Sequence, residues 1–364
     1  MASRSKAFYD NLVRVVDSYQ KGEIRVSHYP VAGYIEPATV GNLKCPSCPT
    51  GINAPVRDRS LLPYERFCTL LDEWGEYLYQ LYMYNWGEPL LNKDIARMVE
   101  YAAVQGIEVH ASSNLSVNMT LDDARRIVKS GLGTLKVGID GLSQEVYEKY
   151  RRKGKLDKVL ANVKMIAQAK KEFGMKTPIL VVSYHVFEHN EHELPFMKNF
   201  LLECGIDIVN FASAFLPVSE DYGVRGPKKY KQFDVREQYE KKIPADAATR
   251  KCSWLWFAMV HNPNGTVSPC CGITHEEDDF GKVSEGIGVL DVFNSPRYLA
   301  SRALQKRDPS VSYNTSMGVS IDREYAHTIC ERCPVPYIVN NFKPEKLLSA
   351  VKDSYGIPIK STAA

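Results

Sequence analysis

The stretch of sequence that decides the fold is Gly41-Asn42-Leu43-Lys44-Cys45-Pro46-Ser47-Cys48-Pro49-Thr50. It lies between a strand predicted near 33–37 and a helix predicted near 63–74, so we expect it to be a loop. Two cysteines in a C-x-x-C spacing can bind one metal site from a single turn. In α/β barrels the loops after the strands form the mouth where active sites lie. The loop therefore predicts a thiolate site at the mouth of a barrel.

Strands and helices alternate outward from this loop, between about residues 33 and 217. The predicted strands are 78–85, 108–113, 134–139, 179–186 and 208–212, and the predicted helices are 94–105, 120–130, 155–173 and 194–204. The run 179–186 is almost continuously apolar, as is typical of a strand buried in a parallel sheet. About six βα units predict an α/β fold, a partial (β/α)6 TIM-like barrel that stops short of the full eight units.

Composition excludes several classes of protein. The chain has 364 residues, 44% of them hydrophobic, and its net charge is only +3. This charge gives no basis for a nucleic-acid or membrane partner. No stretch approaches the roughly 18 apolar residues of a membrane span, and the N-terminus has no signal-peptide core. We expect a cytoplasmic protein, in which clustered cysteines are metal ligands rather than disulfides.

The last third of the chain is rich in cysteine. Cys252 and Cys270 flank a turn at 262–265, which predicts a hairpin that brings them together. Cys330 and Cys333 then complete a site of four thiolates, with Cys271 as a spare or a substitute for Cys270. Iron–sulfur and zinc both suit such a site, and the spacing does not separate them.

The composition also predicts four segments. They are an N-terminal helical extension at 1–32, the barrel at 33–245, the cysteine-rich domain at 246–340 and a C-terminal tail at 341–364.

The loop at 41–50 resembles the C-x-x-x-C-x-x-C motif of radical S-adenosylmethionine (radical SAM) enzymes. In that family three thiolates hold a [4Fe–4S] cluster, and S-adenosyl-L-methionine (SAM) binds the iron that remains open. The resemblance makes Cys45 and Cys48 the catalytic cluster ligands. Gly41 stands where the family has its first cysteine, and a cluster with two protein thiolates should be more labile.

Three explanations of Gly41 stay open. The glycine has been introduced in place of a native cysteine, or another ligand such as Cys68 is recruited, or the lineage keeps the scaffold without radical chemistry.

Two further motifs resemble parts of the family's SAM site. The sequence Asn85-Trp86-Gly87-Glu88-Pro89-Leu90 resembles the family's Gly-Gly-Glu-Pro motif, which implies that Gly87, Glu88 and Pro89 contact SAM and that Glu88 accepts from its ammonium group. Ser113 and Asn114 end the third predicted strand, and their hydroxyl and amide groups suit a ribose. A helix cap or turn explains Ser113 and Asn114 equally well.

The segment from Val137 to Arg151 resembles the family's Ser-Ile-Asp-Gly stretch, with Gly138 in place of serine. Arg151 is a candidate for the SAM carboxylate, because guanidinium pairs with carboxylate in a bidentate manner. Asp140 is a second candidate, although it could instead cap the turn that follows it. Further along, we expect Asn190 to be a helix N-cap.

The C-terminal cysteines resemble the SPASM extension of radical SAM enzymes, in its shortened form called twitch, which binds one auxiliary [4Fe–4S] cluster. The resemblance implies an oxidoreductase or modifying enzyme that uses both clusters and SAM. Its substrate would be a small hydroxylated molecule, such as a sugar or aminocyclitol, or a peptide. Its electron donor would be a protein such as flavodoxin or ferredoxin. The alternatives are a protein of this fold that no longer makes radicals and a zinc-stabilised binding module.

Overall fold

The structure is a computed structural model, and it describes residues 4–54, 57–214, 223–234, 252–306, 328 and 330. In this part of the chain the strands are β1 (Ala32–Ile35), β2 (Gln80–Met83), β3 (Glu108–Ser113), β4 (Thr134–Val137), β5 (Ile179–Val186), β6 (Ile208–Ser213), β7 (Ala258–His261), β8 (Thr266–Ser268) and β9 (Gly281–Lys282). The α-helices are α1 (Lys6–Lys21), α2 (Tyr64–Trp74), α3 (Ile95–Val104), α4 (Leu121–Lys129), α5 (Gln144–Tyr150), α6 (Leu156–Glu172), α7 (Leu194–Glu203), α8 (Trp254–Phe257), α9 (Val289–Phe293) and α10 (Pro296–Lys306).

The strands within these ranges form one sheet in the order β6-β5-β4-β3-β2-β1-β7-β8-β9. Strands β1 to β6 pair in parallel, each with the next along the chain. This arrangement confirms the predicted α/β partial barrel. Parallel pairing requires a crossover between strands, which the βα units supply.

The C-terminal region extends the same sheet. Strand β7 pairs in parallel with β1, and β8 and β9 continue the sheet in antiparallel pairs. The turn predicted at 262–265 joins β7 to β8, and Gly265 adopts a φ of 92°, which favours glycine. The predicted boundary at residues 245 and 246 lies outside the described residues and stays a prediction.

The core lies between the sheet and the helices. Alternate strand residues such as Leu81, Val109 and Leu135 are almost fully buried on the helical side. Trp74 of α2 packs against this face and donates its indole N–H to Pro30 O at 2.8 Å. A side chain at Gly33 would meet the Trp74 ring at 2.8 Å, so glycine lets the helix approach the strand. Helix positions are thereby fixed relative to the strand ends.

Local predictions were confirmed in some places and wrong in others. Thr120 and Asp123 form the expected capping box at the start of α4. Helix α5 was not predicted, because it has only seven residues and a polar sequence. Its N-cap is Ser143. The strand predicted at 134–139 ends at Val137, which is the last residue of β4 paired with β3 and lies opposite Ser113.

Helix α1 packs on the C-terminal region, where the Tyr19 ring contacts Trp256 and Phe257 edge to face. None of the helices in the described ranges is both long enough and apolar enough to span a bilayer.

Candidate active site

The carboxyl ends of β1 to β5 place the predicted site residues at one edge of the sheet. The cysteine loop follows β1, the Gly87–Pro89 segment follows β2, Ser113 ends β3, and Asp140 follows β4. Backbone hydrogen bonds join these segments. Glu88 N donates to Val40 O at 2.8 Å, and Lys44 N donates to Arg152 O at 2.9 Å.

The two cysteines lie in a tight turn, in which Cys48 N donates to Cys45 O at 3.2 Å. Cys45 is 6% exposed, and burial raises the pKa of its thiol. The Arg151 guanidinium opposes this shift through its charge and a hydrogen bond. A cation beside a thiol stabilises the thiolate, the form that binds metal.

A side chain at position 41 would press on one neighbour, the side chain of Thr50, which would have to shift slightly. A Cβ built there would lie 3.0 Å from Thr50 Oγ1 and 3.4 Å from Thr50 Cβ, both atoms of one side chain. Thr50 Oγ1 also lies 3.1 Å from Cys48 Sγ and donates to Trp86 O at 3.0 Å. The threonine side chain thus lies between residue 41 and the sulfur of Cys48.

Glu88 is the centre of a buried hydrogen-bond network. Its carboxylate accepts from Ser113 Oγ at 2.7 Å, Asn114 N at 2.9 Å and Leu90 N at 3.1 Å. Burial raises the pKa of Glu88, and these donors oppose the shift. Asn114 extends the network by donating to Asn42 Oδ1 at 2.8 Å. Glu88, Ser113 and Asn114 are therefore brought together, and Glu88 is engaged by protein donors before any ligand binds.

Gly87 lies against the loop after β1. A Cβ there would be 1.8 Å from Ala38 O, so no larger residue fits without movement of the backbone. Pro89 is buried in the short 3-10 turn that follows Glu88.

Glu36 was missed by sequence reasoning. Its Oε1 accepts from Trp86 N and Gly87 N, both at 2.7 Å, and its Oε2 is buried without a protein partner. The available signal was an acidic residue at the end of a strand that is otherwise apolar.

Asp140 and Arg151 form a buried ion pair, with Arg151 Nε 2.5 Å from Asp140 Oδ2. Burial alone would raise the pKa of Asp140, but Arg151 and His185 outweigh it and hold the pKa well below its ordinary value. The suggested capping role of Asp140 is wrong. Its Oδ1 accepts from His185 N at 2.7 Å, while Ser143 caps the next helix.

Asn190 occupies the N-cap position of a short 3-10 turn (Glu191–Glu193), as expected, but its side chain makes no capping hydrogen bond. Its Oδ1 accepts from Phe187 N, and its Nδ2 donates to Asp140 O and His185 O. The residue therefore holds the loop after β5 against the loop after β4. Gly138 leaves space for Arg151, since a Cβ there would lie 2.8 Å from Arg151 Nη2.

The C-terminal cysteines approach one another on the β7 side. Burial raises the pKa of the Cys270 thiol, and the neighbouring thiols of Cys271, Cys330 and Cys252 raise it further. In the described part of the chain these cysteines do not form a group of three that could hold a metal ion. Cys333 lies outside the described residues, so the four-ligand set stays a prediction.

The segments after β1 and β2 each make a contact with the C-terminal region. Trp86 Nε1 donates to Ile273 O at 2.9 Å. Arg57 pairs with Asp279 at 2.6 Å and 2.7 Å, with both side chains almost fully buried. Cys68, the suggested spare ligand, lies in the outer helical layer. It contacts Tyr64 on α2 and raises the pKa of Tyr101 on α3.

The donor set fits an iron–sulfur cluster in part. Cys45 and Cys48 offer two thiols from one turn, with Arg151 beside them, and the glycine at position 41 offers no ligand atom. Within the described ranges, His, Cys, Asp and Glu alone form no complete metal site of three or more ligands.

The chain matches two family models. Residues 35–200 match the Radical SAM superfamily, and residues 252–334 match SPASM, an iron–sulfur cluster-binding domain. Fe-coproporphyrin III synthase of Methanosarcina barkeri is 24% identical over 224 residues, or 57% of this chain and 52% of that protein. The chain thus spans about half the length of the curated relative that it matches.

Solved structures with a similar fold include SuiB of Streptococcus suis. The two share 16% identity with a TM-score of 0.57 over 81% of this chain and 72% of SuiB. The complex of SuiB with its precursor peptide SuiA aligns with a TM-score of 0.54 at 15% identity over 79% of this chain and 69% of that one. anSMEcpe with bound AdoMet aligns with a TM-score of 0.53 at 14% identity over 85% and 84% of the two chains. At these identities the likeness shows the fold.

Proposed function

Because the chain combines a radical SAM domain with a C-terminal SPASM domain, we propose that it is an iron–sulfur enzyme that binds SAM at the carboxyl edge of the parallel sheet. When bound, the cluster and SAM would supply reductive cleavage of SAM and abstraction of a hydrogen atom from a substrate. The observation that carries the proposal is the convergence of the Cys45 turn, Glu88 and Arg151 at one edge.

Cys45 and Cys48 would hold the cluster, and Arg151 supports this role. Its guanidinium lies against Cys45 and stabilises the thiolate. Since its Nε already bonds to Asp140, a contact with the SAM carboxylate would use its remaining donors.

Glu88 would act in two ways. It orients Ser113 and the backbone of Asn114, which would face the ribose. A carboxylate has about four acceptor sites, and protein donors use three of them here, so one remains for the ammonium group of SAM. Gly87 and Pro89 would shape the surface against which the methionine portion lies.

Cys252, Cys270, Cys330 and Cys333 would hold the auxiliary cluster. Burial of the Cys270 thiol opposes its ionisation, and a bound metal would offset this cost because it binds the thiolate. The cluster could accept the electron left on an oxidised substrate, and a flavodoxin or ferredoxin would supply electrons to the first cluster.

The substrate would be a small hydroxylated molecule or a peptide. SuiB was solved with a precursor peptide and anSMEcpe with a peptide, both on this fold. The name of the relative from M. barkeri indicates a tetrapyrrole product for that protein.

The test is anaerobic reconstitution of the full chain with iron and sulfide, in wild type and Gly41→Cys. Two clusters correspond to about eight irons per chain and one to about four. Because a cysteine at position 41 would supply the third thiolate of the motif once the Thr50 side chain shifts, we expect Gly41→Cys to hold the cluster at Cys45 and Cys48 more tightly and to form more 5′-deoxyadenosine from SAM. Ser47→Cys is the control, since it adds a thiol to the same loop at a position that does not fit the C-x-x-x-C-x-x-C spacing.

The outcomes separate the open explanations. A large gain in Gly41→Cys identifies a site disabled by glycine, whereas equal cluster content and cleavage in both proteins identify a natural variant. The proposal is contradicted if neither protein binds more than about four irons and neither cleaves SAM. Zinc in place of iron at the C-terminal cysteines would support the binding module instead.

A further inference from the structure

Lys136 lies on the face of the sheet opposite the helices. Its neighbours in β4, Leu135 and Val137, are each 1% exposed and pack in the core on the helical side. Side chains alternate along a strand, so Lys136 points to the concave face of the partial barrel. Ser112 of β3 is its register partner on that face.

The Lys136 side chain is half-buried and has no ion-pair partner in the described part of the chain. Burial lowers its pKa, and no acidic group in the described part of the chain offsets the shift. Its hydrogen-bond partner is the Tyr84 hydroxyl at 3.4 Å. Burial also lowers the pKa of His110; Glu108 opposes that shift and Lys136 adds to it. A cation that is partly withdrawn from water is costly unless it is paired, so this ammonium would gain from an anionic group on a ligand.

Aromatic rings line the concave face beside Lys136. We call this set the aromatic wall; it consists of Tyr34, Tyr82, Tyr84, His110 and Trp254. The Tyr34 and Tyr82 rings stack at 4.5 Å, and Tyr82 stacks on His110 at 5.0 Å. Trp254 lies 5.1 Å from Tyr34. The rings are half-buried, so the wall keeps surface that a planar group could cover.

We propose that Lys136 binds an anionic group of the substrate, a carboxylate or a phosphate, while a planar part of the substrate lies on the aromatic wall. The inference rests on the proposed function, since it names the charge of the molecule on which that site would act. Pockets of this kind use a mostly apolar lining for affinity and few polar groups for orientation. Lys136 would supply the anion contact, and Ser112 and Tyr84 lie beside it.

SAM also carries a carboxylate, so the test must separate cofactor from substrate. Three probes share one ring: 4-hydroxyphenylacetate, its neutral amide 4-hydroxyphenylacetamide, and 4-hydroxyphenyl phosphate. Their binding to the full-length reconstituted protein is measured by saturation-transfer NMR and calorimetry. SAM binding is measured by calorimetry in the same preparations.

We expect wild type to bind one of the anionic probes about tenfold more tightly than the amide, because a charge-assisted hydrogen bond is lost in the amide. The better anion identifies a carboxylate or a phosphate substrate. Lys136→Met should abolish the preference, and Lys136→Arg should retain most of it. Lys198→Met, which removes an exposed lysine on α7, is the matched control and should change nothing.

Folding of the variant is checked by its melting temperature. Removal of an unpaired, half-buried charge should leave the melting temperature of Lys136→Met equal or higher. The inference is overturned if the amide binds as well as both anions, or if Lys136→Met keeps the preference. It is also overturned if Lys136→Met loses SAM affinity and retains probe binding, because the ammonium would then serve the cofactor. Probe binding is measured without SAM cleavage. A failure of the proposed function would therefore show in the cleavage assay and not in the binding assay.

Discussion

Glu36 is a single buried carboxyl group whose protonation depends on its surroundings. It is 1% exposed, and burial raises its pKa to about 7, although the Gly87 and Trp86 amides oppose the shift. The folded chain therefore keeps this proton from about pH 4.5 to about pH 7, where the unfolded chain has lost it. By linkage, the free energy of unfolding falls through this range as pH rises.

We expect Glu36→Gln to remove this pH dependence. A glutamine oxygen can accept from both backbone amides, and its amide group replaces the oxygen that has no protein partner. The variant should match wild type near pH 5 and exceed its free energy of unfolding at pH 8 by up to about 3 kcal/mol. Urea unfolding from pH 5 to 8 at equal iron content is the measurement. Glu100→Gln, on the exposed face of α3, should keep the wild-type slope, and an unchanged slope in Glu36→Gln would contradict the prediction.

The sequence alone indicated a role for Gly41 but not for Lys136 or Glu36. Gly41 was recognised from its spacing to Cys45 and Cys48, which is a local pattern. Lys136 and Glu36 matter because of burial, and burial depends on residues distant in the chain.

At the scale of elements, the loops after β1 and β2 are packed together without space between them. A Cβ at Gly87 would lie 1.8 Å from Ala38 O and 2.9 Å from Val40 O, both backbone atoms. At Gly41 the contact at 3.0 Å is with the rotatable side chain of Thr50. The same substitution should therefore have different effects at two positions of one site.

Gly87→Ala is expected to lower the free energy of unfolding by about 1–3 kcal/mol or more, because the loops must separate. It should also lower the iron content after reconstitution, since the loop carries Trp86 against the cysteine turn. Gly41→Ala should cost less than about 1 kcal/mol. Guanidinium unfolding and iron analysis of both variants provide the comparison, and equal effects would refute this account of the packing.

Elements with a strong period or cap were predictable. Strands β3 and β5 have the predicted bounds, and Thr120 and Asp123 form the capping box. Helix α5 was missed because a seven-residue polar segment has no clear hydrophobic period. The capping role suggested for Asp140 was wrong, and Asn190 stands at an N-cap position without a side-chain capping bond, because both side chains bond to other segments instead.

At the scale of the molecule, one ion pair joins the segment after β1 to the C-terminal region. Arg57 bonds to both oxygens of Asp279 and to Ser268 Oγ at 3.0 Å. Asp279 also accepts from Ser268 and Asn262. The side chains of Arg57 and Asp279 are 6% and 5% exposed, so removal of one leaves a buried charge without its partner.

We expect Arg57→Met to lower the free energy of unfolding by about 3–5 kcal/mol, as for other broken buried pairs. The double variant Arg57→Met/Asp279→Leu should recover part of this loss, because no unpaired charge remains. Arg126→Met, which removes the exposed Arg126–Asp123 pair, should change stability by less than about 1 kcal/mol. Urea unfolding of the four proteins tests this, and equal losses in Arg57→Met and Arg126→Met would contradict it.

The sequence by itself determined the alternating βα order, the cysteine turn and the order of the motifs, because these depend on local spacing and on the period of apolar residues. Parallel strands place their carboxyl ends at one edge, so the convergence of Cys45, Glu88 and Arg151 followed from the order of elements. Only the tertiary structure decided that Glu36 is buried and Lys136 half-buried, that Arg57 meets Asp279, and that Cys68 lies in the outer layer. Burial and pairing arise between residues far apart in the chain, and no local pattern records them.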